Sequence, residues 1–215
     1  MHTEFILQAA AAVQDAILSQ ESEIESLDRE IGDGDHYVNI KRGCATIVAM
    51  RDELAALPPD AVLQKIGMKL LSSIGGASGP LIGSCFIAMG KAVKEQGGDN
   101  LPQVAAVFAA GVAAIQSRGK AEAGEKTMLD VLIPVSRTFT RLAAEGVDRS
   151  AVFAVLKREA EQGMLSTRDM IATKGRAAFL GERAIGHIDP GARTSQVIIA
   201  TICDLARDLT KPNQP

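Results

Sequence analysis

The stretch Val104-Ala-Ala-Val-Phe-Ala-Ala-Gly-Val-Ala-Ala-Ile115 is apolar throughout, and its reading decides the fold. Its 12 residues fall well short of the ~20 that a helix needs to span a bilayer. Val104, Phe108, Val112 and Ile115 recur at steps of four and three, the spacing of one face of an α-helix. The same spacing returns along the chain: in Ile6, Ala9, Val13 and Ile17, with Gln8, Gln14 and Asp15 off that face; in Val62, Ile66 and Leu70; and in Ile198, Ile202, Leu205 and Leu209. No run of β-branched residues alternates with polar ones, so strands are not expected. Breaks fall at Gly32–Gly34, Pro58–Pro59, Gly75–Pro80, Gly97–Pro102, Gly119–Gly124, Gly146–Ser150 and Gly186–Gly191. They leave segments of roughly 15–20 residues, or about seven to nine bundled helices. With no long linker, low-complexity tract or clear repeat, the reading is a single all-α domain over residues 1–215.

Composition agrees. The chain is 47% hydrophobic but has no Trp, one Tyr and six Phe, so its core is built from Ala, Leu, Ile, Val and Met. Such side chains suit close helix packing. A net charge of −3 gives no support for a nucleic-acid partner. Cys44, Cys85 and Cys203 are an odd and widely spaced set, which argues against a disulfide framework or a zinc site. The N-terminus shows no basic segment followed by an apolar one. A soluble cytoplasmic protein that does not enter the membrane is expected.

The densest chemistry lies in Asp28-Arg-Glu-Ile-Gly-Asp-Gly-Asp-His-Tyr-Val-Asn39. Hard divalent cations take oxygen ligands, and Mg²⁺ beside phosphates uses a few carboxylates and keeps positions open. Asp28, Asp33 and Asp35 supply such ligands, and Gly32 and Gly34 let the backbone turn tightly enough for them to converge. An EF-hand fails on spacing: counted from Asp33, the sixth position is Val38 and the twelfth Cys44, where that motif has Gly and Glu. Read alone, the cluster is equally a solvated acidic turn.

Three more segments carry chemistry. In Ile74-Gly-Gly-Ala-Ser-Gly-Pro80, Ser78 is placed as an N-cap and Pro80 in a first turn, so free N–H groups would form an anion site. A tight helix–helix connection explains the same glycines. Gly119-Lys-Ala-Glu-Ala-Gly-Glu-Lys-Thr127 nearly spells a phosphate-binding P-loop, but Glu125 interrupts it and no strand precedes it. What remains is a polar connection opening a helix near Thr127. In Lys174–Gly191, Arg176 can clamp phosphate bidentately, although a surface loop with solvated charges accounts for the segment too. His187 reads as a structural histidine.

Taken together, LDREIGDGDH (27–36), LLSSIGGASGPLIG (70–83), SRGKAEAGEKTMLDV (117–131) and KGRAAFLGERAIGHIDPGA (174–192) closely resemble the nucleotide-binding L subunits of bacterial dihydroxyacetone kinases. The resemblance runs in order over essentially the whole chain. It implies an eight-helix up-and-down antiparallel α-barrel with the nucleotide at one end. It further implies two Mg²⁺ ions on Asp28, Asp33 and Asp35, and ADP or ATP contacted by His36, Tyr37, Val38, Asn39, Ala77, Ser78, Gly119, Met128, Arg176, Asp189, Pro190 and Gly191. Met128 would lie against adenine, and Arg176 would be the catalytic residue. In such kinases a separate K subunit holds dihydroxyacetone, and a phosphohistidine M subunit of the phosphotransferase system rephosphorylates the bound ADP. In another version ATP exchanges as a substrate. The resemblance also carries an expected homodimer and the ability of such subunits to bind transcription regulators. Gly34 stands where the phosphotransferase-dependent pattern has alanine, and Tyr37 where it has glycine. Phosphoryl transfer asks mainly for positioning and charge stabilisation, and His36, by its place beside the metal loop, is read as a nucleotide contact rather than a base. An ATP-dependent kinase for dihydroxyacetone or a related ketose, and a non-catalytic regulator, are the rival readings.

Overall fold

A computed structural model describes residues 2–76 and 78–209, and among these there is no strand. The helices are α1 (Thr3–Ser19), α2 (Glu21–Ile31), α3 (His36–Ala49), α4 (Arg51–Ala55), α5 (Pro59–Ser73), α6 (Ser78–Gln96), α7 (Leu101–Gly119), α8 (Leu129–Ala144), α9 (Arg149–Ser166) and α10 (Pro190–Asp208). Side-chain caps mark several starts. The Asn100 carboxamide accepts the Gln103 N–H at 2.9 Å to open α7, and Asp148 accepts the N–H of Ser150 at 2.9 Å to open α9. Each satisfies a helix-end donor that would otherwise lack a partner.

Helix α2 continues α1 beyond Gln20, and α4 continues α3 beyond Met50. Counting each pair once, the packing order is α1, α3, α5, α6, α7, α8, α9, α10 and back to α1, a closed ring of eight. Neighbours run antiparallel. Arg51 meets Glu4 while Lys41 meets Glu21, Gly67 lies against Gly83 while Gly90 lies against Asp60, and Asp189 bonds Thr167 while Lys157 bonds Asp204 at 2.7 Å. The expected eight-helix up-and-down barrel is the observed architecture.

Two main cores fill the ring. Val112, Ile115, Leu129, Val135, Leu156 and Ile199 belong to the α7–α10 side. Leu54, Val62, Leu63, Ile66 and Leu70 belong to the α4–α5 side. The faces read from spacing in α1, α5 and α7 are buried or partly buried. Helix α10 differs. Its buried residues include Val197, Ile199 and Cys203, whereas Ile198 and Ile202 are only partly covered and Leu209 is 57% exposed. Because α10 packs on α9, α1, α8 and α2, its covered arc is wider than one stripe and is rotated from the one the spacing indicates.

At several crossings glycine lets backbones touch. A Cβ on Gly67 would lie 2.7 Å from the Gly83 carbonyl oxygen and 2.9 Å from the Ile87 nitrogen, both backbone atoms that cannot give way. At Gly111 it would meet the ends of Cys85 and Met89, which can rotate aside. Gly67→Ala is therefore expected to cost about 1–3 kcal/mol, a fall of ~2–4 °C in Tm per kcal/mol at this length, and Gly111→Ala less. Equal losses of thermal stability in the two variants would contradict this account of the α5–α6 contact.

Candidate functional site

In an up-and-down ring every second connection lies at the same end. The connections that follow α2, α5, α7 and α9 do so here, and the four segments singled out in the sequence lie at them.

Asp28 sits in the last turn of α2, is 4% exposed, and its carboxylate accepts the His36 N–H at 2.9 Å. A Cβ on Gly32 would run into that carboxylate, and Gly34 adopts φ 78°, a left-handed value that glycine tolerates. The turn therefore closes tightly. It brings carboxylate oxygens of Asp28, Asp33 and Asp35 within 4.8 Å of one another. Burial, and next the negative charge of Asp33, raise the Asp35 carboxyl above its ordinary range, as expected when like charges converge. The Asn39 amide bonds Asp35 and opposes that rise. A divalent, oxygen-seeking cation fits this donor set. Arg176 supplies part of the compensation: its Nε lies 2.7 Å from Asp33 Oδ2, with the arginine side chain 70% exposed.

Beside the acid cluster, next to which His36 stands, a small cleft open to solvent is lined by His36, Ser78, Met128, Thr194 and Ser195, with Ile40, Ile74, Ile82 and Ile198 on its apolar side. Burial lowers the His36 pKa, leaving the ring neutral near pH 7. Its Nε2 is 3.2 Å from Thr194 Oγ1, and that hydroxyl donates to the Gly191 carbonyl at 3.0 Å. The Thr194 proton is thus engaged, so His36 Nε2–H is the donor between them, and the pair is not a nucleophile with its base.

Helix α10 opens with Asp189, whose carboxylate accepts the Ala192 N–H at 2.7 Å. Burial raises this carboxyl to about 7. Gly191 faces Met128, where an added Cβ would lie 3.6 Å from the Met128 Cβ, so the Asp189-Pro190-Gly191 turn and Met128 stand side by side. Gly119 ends α7, and a Cβ there would be 3.2 Å from Leu81 of α6.

Not every expected residue presents its side chain to the cleft. Tyr37 is 2% exposed and belongs to the core with Ile17, Ile24 and Val197, so its side chain is structural. Val38 is half exposed. Ser78 is the first residue of α6, one place later than an N-cap, and Ala77 lies outside the described residues. His187 Nδ1 contacts Glu30 Oε2 at 2.8 Å, which pins its segment to α2. Thr194 and Ser195 escaped the sequence reading, although both follow Asp189-Pro190-Gly191 by about one helical turn and so share its end of α10.

The DAK2 domain model matches residues 30–204. The chain belongs to the DAK2 domain family. This DAK2 chain is 39% identical over 193 residues to the PEP-dependent dihydroxyacetone kinase, ADP-binding subunit DhaL, of Escherichia coli, covering 89% of the chain and 92% of that relative. It is 41% identical to the corresponding subunit of kinase 1 of Listeria innocua, covering 81% of the chain and 82% of that relative. The human triokinase/FMN cyclase is 31% identical, but the chain spans only 33% of its length. A solved structure, the dihydroxyacetone kinase from C. freundii in complex with AMP-PNP and Mg²⁺, superposes with a TM-score of 0.72 at 24% identity, covering 92% of this chain and 33% of that one. No helix among the described residues is long and apolar enough to cross a membrane.

The partly buried Asp189 cap of this DAK2 domain has a pH signature. The folded pKa of Asp189, about 7, exceeds its ordinary 3.8, so between those values the folded state holds a proton that the unfolded chain releases. The stability it contributes is fully present below the lower value and is lost as pH rises through the higher one. Asp189→Asn keeps an acceptor for the Ala192 N–H and removes this dependence. Relative to the parent, the variant's stability to urea is expected to improve as pH rises from about 5 to about 8. A difference that stays constant over that interval would contradict the assignment.

Proposed function

We propose that this chain is the nucleotide-binding subunit of a multi-protein dihydroxyacetone kinase. It would carry the phosphoryl donor to a ketose held by a separate K-type subunit. The observation that carries this reading is the acid cluster of Asp28, Asp33 and Asp35, with Arg176 beside it, joined through His36 to a cleft lined by His36, Ser78 and Met128. It is supported by bacterial relatives, matched over most of their length, whose names describe ADP-binding subunits of PEP-dependent dihydroxyacetone kinases.

In this reading the three aspartates hold two Mg²⁺ ions, which when bound supply charge neutralisation at the phosphate oxygens. The N-terminus of α6 at Ser78 offers backbone N–H groups and the positive end of a 19-residue helix to the phosphates. Arg176 exchanges its partner Asp33 for the transferring group, adding a delocalised cation where charge develops. Met128 covers adenine, with Gly119, the backbone of residues 36–39 and the turn at Asp189–Gly191 around the rest of the nucleotide. Neutral His36 orients rather than abstracts a proton. A phosphohistidine M-type protein of the phosphotransferase system rephosphorylates ADP that stays bound.

Asp33→Asn is expected to weaken ADP–Mg²⁺ binding, followed by calorimetry, by about tenfold or more without loss of helicity. Unchanged affinity would remove the metal assignment. For the donor, the chain mixed with its K-type subunit and dihydroxyacetone should turn over repeatedly with phosphorylated M-type protein and only slowly with free ATP. Equal rates with ATP would show that the nucleotide exchanges as a substrate, the behaviour of an ATP-dependent kinase.

A further inference from the structure

Lys126 lies in the connection whose sequence imitates a P-loop, yet its side chain is 1% exposed and its backbone adopts φ 60°. A lysine is seldom buried so completely without partners. Its ammonium group donates to the carbonyl oxygens of Thr167, of His187 at 2.6 Å and of Arg168 at 3.4 Å. All three acceptors are backbone atoms of the 167–189 connection. Burial lowers the Lys126 pKa, while Asp189, Asp169 and Asp130 oppose that and favour the charged form.

The turn presenting Lys126 is itself tied down. The buried Asp130 carboxylate accepts the N–H groups of Gly124 and, at 2.7 Å, Thr127. Two residues beyond Lys126, Met128 lines the cleft. The segment it grips carries Arg176 and ends at Asp189, whose N–H donates to the Thr167 hydroxyl at 3.1 Å. One buried cation thus ties the connection that carries Met128 to the 167–189 connection, and the two also meet where the Glu125 carbonyl accepts the Thr173 N–H at 3.3 Å. Beside it, the exposed contacts of Glu125 with Thr173 at 2.9 Å and Lys174 at 3.7 Å add little, as solvent-exposed pairs do.

We propose that Lys126 is a positioning residue for the nucleotide: by fastening the 167–189 connection to the start of α8, it sets the gap between Met128 and the Asp189–Gly191 turn. This rests on the nucleotide reading above. The test compares Lys126→Met, which keeps the length of the side chain but not its donors, with Ile66→Ala in the opposite core. Lys126→Met is expected to lose about tenfold in ADP–Mg²⁺ affinity. Ile66→Ala, with a similar or larger fall in Tm, is expected to stay within about twofold of the parent, because Ile66 does not itself line the cleft. Parental affinity in Lys126→Met, or equal losses in both variants, would overturn the proposal. A second measurement needs no variant. In the unliganded parent chain, hydrogen exchange should show the amides of Gly124, Thr127 and Asp189 opening together as one unit. Independent opening of the two connections would overturn the staple even if Lys126→Met failed to fold. Absence of ADP–Mg²⁺ binding by the parent chain would instead defeat the functional reading, while the exchange data would still decide whether Lys126 joins the walls.

Discussion

Closing an antiparallel ring of helices forces alternate connections onto the same end, and the chemistry of this chain depends on that constraint. Eight helical members, two of them broken by a single residue, pack in chain order and return from α10 to α1. Segments far apart in sequence, such as Glu30 and His187, which are 157 positions apart, or Asp33 and Arg176, therefore meet across the mouth. The ring can close because glycines at crossings such as Gly67 with Gly83 allow backbones to approach where any side chain would intrude. Little aromatic bulk is needed. The cores are aliphatic, and Phe108 and Phe139 form a tilted pair on the α7–α8 side.

At the mouth, electrostatics decides what can bind. Three carboxylates converge in one tight turn, which like charges resist unless a cation or a proton intervenes. Arg176 offsets one of them from a separate connection. In the proposed reading a divalent ion would take over that task at the carboxylates and free the arginine for an anion. On that proposal metal and phosphate binding would be linked through Asp33, the partner of Arg176 here. The neutral His36, the Thr194 hydroxyl and the Gly191 carbonyl form a hydrogen-bonded chain along the cleft wall, which orders this wall without adding charge.

Much of this was legible in the sequence because it rests on local rules. Helical period, glycine breaks and carboxylate spacing are set by neighbours within a few residues, and the all-α class and the acid cluster at Asp28, Asp33 and Asp35 followed from them, whereas the eight-helix ring came from the family resemblance. Features that depend on distant partners were not legible. Lys126 reads as one more loop lysine until Thr167 and His187 arrive from another connection. Tyr37 stands among site residues in sequence, yet the first turn of α3 directs its ring toward Ile17 and Ile24. Helix α10 hides its true buried arc because several helices cover it, which no single stripe of spacing can convey.

The central claim is that the turn between α2 and α3 is a metal site serving a nucleotide in the adjoining cleft. Anomalous diffraction from crystals grown with ADP and Mn²⁺ in place of Mg²⁺ tests it most directly. The account predicts anomalous density within coordination distance, about 2.0–2.3 Å, of carboxylate oxygens of Asp28, Asp33 and Asp35, with the ADP phosphates on its open side and adenine against Met128. Manganese bound elsewhere, or ADP ordered in the cleft with no metal at these aspartates, would contradict it.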